Sequence, residues 1–117
     1  MQHDPRAFLW DVRQAADRAA AFIEGRTLDA YLDDRLLRSA TERQLTIVGE
    51  ALNQLSRTDA IMAACVPNLR HMVEIRNILV EAYTRVDHVA VWRTASVDLP
   101  KLRATAAALL AELGDTP

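Results

Sequence analysis

The chain has 117 residues, of which 50% are hydrophobic and 26% charged. That is enough for one domain with a real core over residues 1–117, and it excludes a two-domain protein and a disordered one. The formal charge of −2 excludes a strongly basic nucleic-acid binder, although a phosphate responds to local charge alone.

The opening "MQHDPRAFLWDV" lacks a basic region followed by an apolar core, so no secretory signal is read there. No apolar run approaches the roughly 20 residues that span a bilayer. Cys65 stands alone and can form no internal disulfide, and a cytoplasmic protein is expected. Thirteen of the fourteen basic residues are arginines. A GC-rich genome is the plainer reading of that bias, and arginine's bidentate fit to phosphate the sharper one.

Asp4-Pro5 supplies an N-cap with proline at the first helical position. From there Phe8, Val12, Ala15, Ala16, Ala19 and Ile23 recur at helical spacing until Gly25 ends the helix. Thr27 caps a short second segment, "LDAYL". A long third helix follows over Asp34–Arg57, with Leu37, Gln44, Val48, Ala51 and Leu55 along its inner stripe. "RTDAIMAACVPN" is a broken connection with room for one extra turn. Pro67-Asn68 then leads into a fourth helix over Leu69–Ala82. Asp87 caps a fifth, "HVAVWRTAS", and Asp98-Leu99-Pro100 starts the last, which ends at Gly114. With few glycines and no strand-like alternation, the pattern is an all-α bundle with short loops.

The fourth helix carries a charge on its apolar side. On a wheel of about 100° per residue, Leu69, Met72, Val73, Leu79, Val80 and Tyr83 lie within about 60° of Arg76. Arg70, Glu74, Asn77 and Glu81 gather elsewhere, at about 100° to 160°. A guanidinium buried without partners costs several kcal/mol, so Arg76 is either paired or open to a cleft. Two readings remain: an ion pair with a carboxylate of the third helix such as Glu50, or an anion site in which arginine holds a phosphate. Tyr83 would line that cleft. Glu81 diverges from Arg76 on a straight helix, so the two act together only across a distortion or a two-fold dimer interface. Gly49 lies beside Glu42, Thr46 and Asn53 on a small polar strip, where another helix can approach from the same chain or from a second one.

"IRNILVEAY", then "VDHVAVW", then "DLPKL" resembles the C-terminal half of HepT-like proteins in the HEPN superfamily. The signature there is an arginine, usually followed by asparagine, then four to six residues, a histidine, and a tyrosine two further on. "FLWDVRQAADRAAAFIEGRTLDAYLDD" and "RQLTIVGEALNQLS" resemble the family's first helix and its Gly-Glu-Ala third helix, so the resemblance covers nearly the whole chain. It implies a HEPN-type bundle of about five helices. It also implies a metal-independent endoribonuclease acting as a dimer, the toxin of a bacterial toxin–antitoxin pair. The antitoxin would be an MNT-type nucleotidyltransferase that transfers AMP to the motif tyrosine. Carried onto this chain, Arg76 holds the scissile phosphate, Asn77 supports the motif and Tyr83 accepts AMP. The reaction is attack of a ribose 2′-OH on its own 3′-phosphate, with no cofactor implied.

Glu81 departs from the pattern by standing where the family has histidine. Histidine, with an ordinary pKa near 6.5, serves as acid and base at neutral pH. Glutamate, near 4.3, is ionised there and repels a phosphate. The position therefore reads as a disabled catalytic one. His71 and His88 flank the motif without its spacing, and no His, Cys and carboxylate cluster has metal-ligand spacing. Two other functions stay open: a non-catalytic HEPN module that binds nucleotide, RNA or the nucleotidyltransferase, and a scaffold in which Arg76 is only a buried ion-pair partner.

Overall fold

The computed structural model describes residues 4–114, so residues 1–3 of the N-terminal stretch and residues 115–117 lie outside it. The described chain is all helical: α1 (Pro5–Ile23), α2 (Leu28–Asp33), α3 (Arg35–Thr58), α4 (Ala60–Ala63), α5 (Leu69–Glu81), α6 (His88–Arg93) and α7 (Leu99–Leu113). A 3-10 turn (Tyr83–Arg85) follows α5, and a π turn (Thr94–Asp98) joins α6 to α7.

Side-chain caps start the helices, at Asp4 and Thr27 as expected and also at Asp34. Asp4 accepts from the Arg6 amide at 2.9 Å, Thr27 from Ala30 at 3.1 Å and Asp34 from Leu37 at 3.0 Å. Gly25 and Gly114 take positive φ where α1 and α7 end. The Arg6 guanidinium pairs with Asp4 and donates to the Leu113 carbonyl at 3.1 Å, tying the start of α1 to the end of α7. Asp87 accepts from Val89 and Ala90, which caps α6 as expected.

α3 is the central rod, with α1 on one side and α5 on another, and α7 lies against α1. The inner stripe expected of α3 is buried along its whole length. It meets Leu9, Val12, Ala15 and Ala19 of α1 and, across α1, Leu102, Ala106 and Leu110 of α7. Tyr31 of α2 is fully buried, its ring centroid 5.2 Å from that of Trp92 on α6. Area removed from water is the main term holding such a bundle together.

The extra turn allowed for in the connection before Leu69 is the short α4, capped by Asp59 accepting from the Met62 amide. The last helix starts at Leu99 as expected, with Pro100 in its first turn, but without a side-chain cap. Asp98 has helical backbone and caps nothing, and the Leu99 amide reaches back five residues to the Thr94 carbonyl. Pro100 brings no N–H, and the widened turn just before it carries α6 into α7 without a break. The described residues thus form the all-α bundle expected, with the short α2 and the single turn α4 beside its main helices. No described helix is long and apolar enough to cross a membrane.

Candidate active site

Arg76 reaches its place because α5 lies almost on the backbone of α3. A Cβ on Gly49 would stand 2.3 Å from the Arg76 Cβ and 2.9 Å from the Met72 carbonyl oxygen. Only glycine permits that approach, so the polar strip around Gly49 receives a helix of the same chain. Met72 is the one fully buried side chain of α5.

The packing leaves the Arg76 side chain 25% exposed, at the edge of the bundle. Nη2 lies 3.1 Å from Oε2 of Glu50, and Nη1 donates to Oδ1 of Asn77 at 3.0 Å. Nε is buried with no hydrogen-bond partner. Glu50, itself 44% exposed, accepts at Oε1 from Gln54 Nε2 at 3.2 Å. Of the two sequence readings of Arg76, the ion pair is the one the structure contains. Arg76 also opens onto a cavity of ≈ 370 Å³ whose walls include Phe8, Asp11, Arg43, Glu50 and Gln54.

The rest of the motif does not gather there within one chain. α5 ends at Glu81, and Ala82 turns out of helical geometry with φ −138° and ψ 43°. Glu81 is exposed on another side, as the wheel indicates, with no ion pair among the described residues. Tyr83 opens the 3-10 turn with 75% of its surface exposed and does not line the Arg76 cavity. The sequence expectation that it would is corrected: it assumed a helix running two further turns, and the helix stops before the tyrosine.

The two histidines beside the motif are engaged elsewhere. His71 Nε2 lies 3.8 Å from Oδ2 of Asp98 and lines a separate cavity of ≈ 380 Å³ between α5 and α6. His88 Nδ1 lies 3.6 Å from Oε2 of Glu42. Neither lines the Arg76 cavity.

Sequence pattern missed three of the residues around Arg76. Gln54 follows Glu50 by one turn, so the i,i+4 rule makes it legible. Asp11 and Arg43 are exposed helix positions whose meeting with Arg76 depends on how α1 and α5 cross α3. Partial desolvation at the cavity wall raises the Asp11 carboxyl from its ordinary value, and Arg18 on the same helix works against it.

Known proteins resemble the chain over most of its length. The family model described as "Ribonuclease HepT-like" matches residues 12–109. A Methanocaldococcus jannaschii protein named "Putative RNase MJ1380" is 28% identical over 102 residues, which is 87% of this chain and 93% of that protein. A Thermococcus cleftensis protein named "Probable ribonuclease HepT" is 27% identical over 103 residues, 88% of this chain and 93% of that one. A Caldanaerobacter subterraneus protein named "Putative RNase TTE0752" is 26% identical over 98 residues, 84% and 87% of the two chains. No solved structure is a significant match. With the family match spanning most of its length, the chain belongs to the HepT-like ribonuclease family.

Proposed function

We propose that the chain is a single HEPN domain and an endoribonuclease toxin, weakened by Glu81, whose site forms where two copies bring their motifs together. The observation that carries this reading is Arg76, a half-buried guanidinium at the mouth of a cavity, held by Asn77 on one nitrogen and by a displaceable carboxylate on another. Arginine in that state takes a phosphate by exchanging Glu50 for phosphoryl oxygens.

In the reaction the ribose 2′-oxygen attacks the adjacent phosphorus. The O2′–P bond forms and the P–O5′ bond breaks, leaving a 2′,3′-cyclic phosphate and a 5′-hydroxyl. Arg76 stabilises the charge that grows on the phosphoryl oxygens, without a metal ion. A two-fold partner is favoured by the apolar side chains left exposed around the end of α5, among them Ile78, Val80, Tyr83 and Val89. Tyr83 is the acceptor of AMP from an MNT-type nucleotidyltransferase antitoxin, and its exposure supports that role.

The test is incubation of the purified protein with single-stranded RNA in the presence of EDTA. Fragments ending in 2′,3′-cyclic phosphate are expected. RNA left intact by both the wild type and Glu81→His contradicts cleavage and favours a module that only binds RNA, nucleotide or the nucleotidyltransferase. That second reading has its own support in Glu50 on the Arg76 fork and the exposed, unpaired Glu81.

A further inference from the structure

Glu81 points away from Arg76, yet two other carboxylates line the arginine's cavity. Glu50 comes from α3 and Asp11 from α1, with Arg43 as a second cation. Neither Arg43 nor Glu81 has an ion-pair partner among the described residues.

Resting on the ribonuclease reading, we propose that Glu50 and Asp11 are the base and the acid of residual RNA cleavage in this chain. Glu50 is held at both ends, Oε2 by Arg76 and Oε1 by Gln54. A phosphate that takes Nη2 of Arg76 releases Oε2 only. Gln54 keeps the other oxygen, and a free carboxylate oxygen is left beside the sugar whose phosphate has just bound. It takes the 2′-hydroxyl proton as the O2′–P bond forms. Asp11 approaches from a different helix, which suits a group that serves the leaving side. Its proton goes to the 5′-oxygen as the P–O5′ bond breaks, and solvent carries the proton from Glu50 back to Asp11.

Asp11 shares the cavity wall with Arg43 and Glu50 of α3 and Arg76 of α5, and Arg18 acts on it from its own helix. Burial raises its carboxyl and so enlarges the fraction that carries a proton to give. With Asp11 protonated, Arg43 and Arg76 outweigh Glu50, so a phosphate enters a cavity of net positive formal charge. Gln54 is a positioning residue.

The test measures cleavage of a short oligoribonucleotide across pH 5–9, alongside a twin whose 5′-bridging oxygen is replaced by sulfur. A thiolate leaves without needing a proton. The wild type is expected to cleave at a measurable rate, with Glu50→Gln and Asp11→Asn each slower by about 100-fold. The sulfur substrate is expected to restore Asp11→Asn to within about threefold of wild type and to leave Glu50→Gln slow, a split that loss of structure would not produce.

If both variants cleave at the wild-type rate while Arg76→Ala is dead, the proposal is overturned and the ribonuclease reading survives. The proposal likewise fails if only Glu81→His cleaves, or if Asp11→Asn is equally slow on both substrates. No cleavage by wild type or Glu81→His ends the ribonuclease reading, and this proposal with it.

Discussion

Gly49 of α3 lies directly against the side chain of Arg76 on α5, since even a methyl group at position 49 would stand 2.3 Å from the arginine Cβ. The motif arginine is thereby held by packing before any ion pair forms. Gly49→Ala is expected to cost about 1–3 kcal/mol, despite alanine's better helix propensity, because neither the Cβ nor the Met72 carbonyl can rotate aside. A fall in Tm of roughly 10 °C in a thermal melt would register it. An unchanged or higher Tm would show that the helices part freely.

Arg76→Ala should behave differently. The pair it makes with Glu50 is partly exposed on both sides, and such pairs contribute about 0–1 kcal/mol. The variant is expected to melt within a few degrees of wild type while losing RNA cleavage. Unfolding would instead support the scaffold reading, in which Arg76 is only a structural ion-pair partner.

Tyr31 gives the fold an alkaline limit. Its hydroxyl is buried with no hydrogen-bond partner, and burial first, then repulsion from Glu42, pushes the phenol up from 10 to about 12 against the pull of Arg38. The folded state holds this proton longer than the unfolded chain does. Stability from this group is therefore full below pH 10 and falls by about 1.4 kcal/mol per pH unit as pH rises towards 12. Tyr31→Phe is expected to remove that slope in urea melts and to gain up to about 1 kcal/mol at neutral pH. A loss of several kcal/mol at neutral pH would mean the hydroxyl has a partner.

The two tyrosines make the modification site testable. Tyr83 is 75% exposed on the 3-10 turn, whereas Tyr31 is fully buried. Co-expression with an MNT-type nucleotidyltransferase, followed by peptide mass spectrometry, is expected to find AMP on the Tyr83 peptide and none after Tyr83→Phe. AMP on another peptide would reassign the acceptor.

Much of this was legible in the sequence, because helix periodicity and caps are local signals. The α3 stripe and the caps at Asp4, Thr27 and Asp87 came out as read. So did the odd position of Arg76 and its carboxylate partner Glu50. Failures came where a non-local fact decided the outcome. Asp98-Leu99-Pro100 starts α7 as read, but Asp98 lies near His71 instead of capping the helix, and the chain stays helical through a π turn. The wheel carried Tyr83 onto the Arg76 face because periodicity cannot show that α5 ends at Glu81. Asp11 joined the site through the crossing of α1 with α3, which no pattern within either helix encodes.

The most direct measurement is the initial rate of RNA cleavage by the wild type, Glu81→His, and Glu81→His combined with Arg76→Ala. Restoring an imidazole at the motif position is expected to raise the rate by about 100-fold or more, and removing Arg76 from that variant to abolish it. Equal rates in all three proteins would contradict the assignment of the site to Arg76 and Glu81.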